Sequence, residues 1–127
     1  MPVCPRLNRE EDIAFKVLIN SLKLLGSDFR FQIDFIGKQY DYPTELVEIF
    51  GHAYNMFKQI ENKFESIDFK NYMLILNNIF DEIVINDFMD KENFKSNFLW
   101  KNSRFLAKKA LETINIEMDS NLDFLKK

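Results

Sequence analysis

Phe29-Arg30-Phe31-Gln32-Ile33-Asp34-Phe35 alternates apolar and polar residues without a break. That period of two marks a half-buried strand. Gly37-Lys38 follows as a turn, and Gln39 to Tyr42 as a short return strand, so residues 29–42 read as a β-hairpin. A helical reading competes, because Phe29, Ile33, Ile36 and Tyr40 also share one helix face. The strict alternation favours the hairpin. This is the only segment of the chain with a period of two.

Helical signals surround it. Asn8 followed three residues on by Glu11 forms a capping box, with Glu10, Glu11 and Asp12 at the positive end of the helix dipole. Ala14, Leu18, Leu22 and Leu25 carry the apolar stripe and Gly26 stops it, predicting a helix over Arg9–Leu25. Pro43 starts a second helix. Leu46, Phe50, Ala53, Phe57, Ile60 and Phe64 form a seam at alternating steps of four and three. Gly51 inside that helix suggests close approach of a neighbouring backbone. Ser66 or Asp68 caps a third helix, which Phe69 to Phe88 makes apolar nearly all round, a pattern of central or interface helices. A last helix is expected over Glu92–Met118.

The sum is a mainly α, antiparallel bundle of about four helices with a small β-hairpin after the first. The 127 residues make one domain: an extended arm over 1–7 set by Pro2 and Pro5, a core over 8–118 and a short tail over 119–127. Leu122, Phe124 and Leu125 are candidates to dock that tail.

Composition narrows the chemistry. Cys4 is the only cysteine and His52 the only histidine. Disulfides, cysteine zinc sites and paired Glu-x-x-His metal sites are therefore excluded within one chain. Glu45, Glu48 and His52 share a helix face but make at most half a metal site. Cys4 sits between prolines in an arm, a poor setting for a nucleophile. Asp81-Glu82 and Asp87 with Asp90 are carboxylate pairs by spacing alone. Three scattered glycines provide no phosphate loop. No cofactor or metal is expected, and no enzyme. No stretch is a signal peptide or long enough to cross a membrane, so a cytoplasmic location is expected.

Charge is segregated. The net charge is −3, from 17 basic and 20 acidic residues. Asp41 to Asp90 carries ten acidic and three basic residues, while Lys91 to Met118 carries six basic and three acidic. Lys101, Arg104 and Lys108 form a stripe, expected to pair with acidic helices of the same chain or of a second copy. Apolar helix faces exceed what a small monomer hides, so a partner should cover some of them. Tyr54, Trp100, Lys101, Arg104 and Lys108 are the candidate contact residues. The expectation is a non-enzymatic protein-binding module, homodimeric, of adaptor or inhibitor type, as immunity proteins, antitoxins and phage anti-defence proteins are. The alternative is a nucleic-acid-associated protein using the basic last helix.

Ile33-Asp34-Phe35-Ile36-Gly37-Lys38-Gln39-Tyr40 resembles the N-terminal hairpin of the ZapA family of bacterial cell-division scaffolds. The likeness continues into Met73-Leu74-Ile75-Leu76-Asn77-Asn78-Ile79-Phe80-Asp81-Glu82, similar to the start of that family's second helix. The extra N-terminal helix and the absence of a charge-rich coiled-coil repeat at the end depart from it. The resemblance implies a scaffold that binds a filament-forming partner.

Overall fold

A computed structural model describes residues 7–119 and Leu122. Cys4, Phe124 and Leu125 lie outside the described residues, as does nearly all of the expected arm. Among the described residues the chain forms six α-helices and no strand. The four longer ones make a helical bundle in which α1 (Arg9–Leu25) and α4 (Ile67–Ile85) each lie against α3 (Tyr42–Ile60) and α6 (Phe98–Thr113).

The entry to α1 follows the sequence closely. The Asn8 side chain accepts from the Glu11 N–H at 2.8 Å, and the Glu11 carboxylate accepts from the Asn8 N–H at 3.0 Å. Both groups are orphan donors at a helix start, and each residue satisfies the other's. At the far end Gly26 brings α1 against α6. A Cβ there would lie 3.1 Å from the Lys108 backbone nitrogen. Close approach therefore belongs to Gly26. Gly51, to which the sequence assigned it, is exposed and faces open space.

The hairpin is not formed. Phe29–Ile36 is a helix, α2, capped by Asp28, whose carboxylate accepts from the Arg30 N–H at 2.7 Å. The reason lies in Gln32, which the alternation placed on a solvent face. It is only 1% exposed. Its amide donates to the Leu24 and Leu25 carbonyls at 3.0 and 2.9 Å. The Leu24 carbonyl also accepts from the Ser27 N–H at 3.1 Å, but Gln32 is the partner of the Leu25 carbonyl, and carbonyls at a helix end are costly to bury without a partner. The need to satisfy them overrides the local period. Tyr40, on the rival helical face, is exposed in the loop that follows. The hairpin that carried the ZapA resemblance is absent with it. Residues 33–36 end α2, and Met73–Glu82 lies in mid-α4.

Pro43 lies in the first turn of α3, and Asp41 caps it, its carboxylate also accepting from the Thr44 hydroxyl at 2.8 Å. The whole predicted seam from Leu46 to Phe64 is buried. Ser66, not Asp68, caps α4, accepting from the Phe69 N–H at 3.0 Å. Phe50 stacks on Phe80 with centroids 4.5 Å apart, and Phe57 meets Phe69 edge-on at 5.9 Å. As α3 advances its partners on α4 recede, so the two helices are antiparallel.

The long last helix is broken at Asn97. The shorter α5 (Lys91–Ser96) ends there and α6 begins. The Asn97 side chain accepts from the Leu99 N–H at 2.8 Å, holding its own backbone extended. An asparagine that finds a local cap competes with helix continuation. The break sends Phe94 fully into the core, 4.7 Å from Trp100 and 5.1 Å from Tyr42. The last helix also stops at Thr113, short of Met118. Asn115, at φ 61°, turns the chain, and the Ile116 N–H donates to the Leu111 carbonyl at 3.0 Å. Beyond that turn the described residues include a tie to α1. There Asp119 pairs with Lys23 at 2.9 Å and Leu122 is buried.

Candidate interaction surface

The five candidate contact residues divide into two groups. Trp100 is 1% exposed, with its indole N–H donated to the Phe88 carbonyl at 2.8 Å. It stands edge-on to Phe80 and Phe94 and forms part of the bundle interior. Arg104 is also turned inward. Its Nε donates to Gln32 Oε1 at 2.9 Å and its Nη2 to the Phe94 carbonyl at 2.6 Å. The guanidinium lies 4.6 Å from the Phe94 ring centre. Burial pushes its pKa down to about 10, against the opposing pull of the Asp28 carboxylate. It therefore remains a cation at neutral pH. Arg104 ties α2 and α5 to α6. Tyr54 is half-buried between Phe50 and Phe57. Lys101 and Lys108 alone of the five are fully on the surface.

What surrounds those lysines is the residue set that the sequence reading missed. Phe98, Lys101, Phe105, Lys108 and Glu112 follow at steps of three and four, and all five are exposed. Phe98 is 72% exposed and Phe105 55%. This row is the side of α6 opposite Trp100, Ala107 and Leu111, which are buried. Lys109 flanks it, its ammonium 5.5 Å from the Phe105 ring and 3.3 Å from Glu112. Phenylalanines seven apart, off the core lines of the same helix, were the available signal.

A second row runs along α4. Ile67, Asn71, Leu74, Asn78, Asp81 and Ile85 repeat at steps of four and three, all exposed, with Ile75, Glu82 and Val84 beside them. Ile67 is 70% exposed and Ile85 79%. The all-round apolar character of this helix thus comes from an inward face in the core and an outward face left uncovered. Asp68, Asp81 and Glu82 stand on that outward side.

Among the described residues no ion pair joins Lys101, Arg104 or Lys108 to α3 or α4. The expected pairing within the chain is therefore not made.

Open clefts of about 490 and 330 Å³ flank Lys108. The first is lined by Glu112, Asn115 and Met118, the second by Ser27, Asp28 and Arg104. The acid–base candidates Glu45, Glu48, His52, Asp81 and Glu82 are all exposed and line neither cleft. Asp87 is exposed just beyond α4, and Asp90 caps α5. Hydrogen bonds from Asn93 hold the Asp90 carboxyl below the usual carboxylate range. Among the described residues no group of three or more His, Cys, Asp or Glu is placed to hold a metal ion. No helix among them is long and apolar enough to cross a membrane. The chain matches no known protein-family profile, no curated protein and no solved structure.

Proposed function

We propose that this chain is a non-enzymatic protein-binding module of adaptor or inhibitor type, dimeric and acting in the cytoplasm. One observation carries the reading: the exposed row Phe98-Lys101-Phe105-Lys108 on α6. Large aromatic rings left in water beside mobile cations are typical of contact surfaces. The rings supply area to bury and the lysines select an acidic counterpart. The test compares proteins recovered from the native cells with wild type and with Phe98→Ser/Phe105→Ser. The expected result is a protein held by the wild type and released by the variant. Identical recovery from a variant that still folds overturns the reading.

The same row favours a second reading. Rings alternating with lysines also suit single-stranded nucleic acid, where bases stack and phosphates pair. Its mark is affinity that falls steeply with salt. The net charge of −3 and Glu112 at the end of the row weigh against it. A gel shift with single-stranded oligonucleotides at low salt decides, and no shift at micromolar protein removes it.

A further inference from the structure

We infer that the acidic, apolar row of α4 and the basic, aromatic row of α6 are each other's partners between two copies of the chain. The inference rests on the protein-binding reading and names one partner for it. Three observations carry it.

First, both rows have the same alternating step of three and four residues, the spacing of a helix-to-helix seam. At 1.5 Å per residue, Ile67–Ile85 and Phe98–Glu112 span about 27 and 21 Å, so the whole α6 row can lie along the α4 row.

Second, their charges are opposite and unused. Asp68 and Asp81 on α4, and Lys101 and Lys108 on α6, form no ion pair with other described residues. Pairing α4 with α4 would set carboxylates on carboxylates, and α6 with α6 would set ammonium on ammonium. Only α4 on α6 brings opposite charges together, and like-charge juxtaposition disfavours the alternatives. Along the length of this contact, Ile67, Leu74 and Ile85 on α4 face Phe98 and Phe105 on α6.

Third, α4 and α6 are neighbours in the bundle. Each copy presents both rows, so one contact can be repeated by the reverse one in a closed pair, or propagated as a chain of copies.

The test uses two charge-reversed variants, with circular dichroism to confirm that each folds. Light scattering after size exclusion over a hundredfold concentration range gives the mass. Wild type is expected at twice 15.2 kDa or climbing with concentration. Lys101→Glu/Lys108→Glu and Asp81→Lys/Glu82→Lys should each stay at the monomer mass, with self-association weakened at least tenfold. Mixing the two variants makes one contact of the original sign and one of reversed sign, both attractive, so a mixed pair should form. A wild type that stays at 15.2 kDa throughout overturns the inference. So does a dimer that either single variant leaves intact, because its contact then lies elsewhere. The protein-binding reading is judged separately, by what Phe98→Ser/Phe105→Ser releases from the native cells. It survives if the wild type is monomeric but loses a partner through that substitution.

Discussion

Arg104 Nε donates to Gln32 Oε1 across 2.9 Å, joining residues 72 positions apart. The same Gln32 amide closes the end of α1 through the Leu24 and Leu25 carbonyls. One buried side chain therefore serves three partners on two elements.

Gln32→Leu keeps the volume and removes every one of those bonds. The Leu25 carbonyl and a guanidinium N–H lose their partners, while the Leu24 carbonyl keeps the Ser27 N–H, and each unsatisfied buried group costs about 1–3 kcal/mol. Relaxation recovers part, so a net loss of about 2–4 kcal/mol is expected in urea unfolding. Gln32→Glu retains the acceptor for Arg104 and should lose less at neutral pH than Gln32→Leu.

Gly26 and Gly51 should respond to alanine with opposite signs. Gly26→Ala forces a Cβ to 3.1 Å from backbone of α6 and should destabilise by about 1–3 kcal/mol. Gly51→Ala adds a methyl in open space on a helix and should stabilise by about 0.5–1 kcal/mol. Thermal midpoints of the two variants, read against wild type, check both.

Asp87 turns the chain after α4 with φ 58°, a left-handed conformation that suits glycine. The Phe88 N–H donates to the Ile83 carbonyl at 2.9 Å around that turn. A carboxylate at this position also meets the negative end of the helix dipole. Asp87→Gly should therefore stabilise, by up to about 1 kcal/mol. Chemical denaturation at pH 7 measures it.

Asp90 gives a pH dependence. Its folded pKa is lowered by hydrogen bonds from Asn93. A lowered carboxylate contributes stability above the ordinary value of 3.8 and loses it as pH falls through the folded value. Asp90→Ala should thus lower the thermal midpoint at pH 7. The difference from wild type should shrink as pH falls below the ordinary carboxylate value.

Much of this architecture is legible in the sequence. The Asn8 box, the seam from Leu46 to Phe64 and the start of α3 at Pro43 are local signals backed by burial, and local and tertiary demands agree there. The failures share another cause. Gln32 and Asn97 are polar residues whose roles depend on contacts or caps that no hydrophobic period encodes. Gln32 answers carbonyls from α1 and a guanidinium from α6, so its segment becomes a helix despite perfect alternation. Asn97 divides a helix whose apolar pattern runs straight through it. At the surface, Lys101 and Lys108 could be picked by charge. Trp100 and Arg104 share their helix, and only packing shows that they turn inward. Phe98 and Phe105 were passed over because phenylalanine at helical spacing is usually core.

The bond between Gln32 and Arg104 also orders events in time. The eight-residue α2 has no fully buried apolar side chain, and a helix of that length is marginal by itself. Its long-range polar tie is to a residue made 72 positions later. α1 and α3, which touch in the folded chain, are both made before α6. The order of synthesis thus leaves α2 with its ties to α1 first, and its bond to α6 can close only after Arg104 is made.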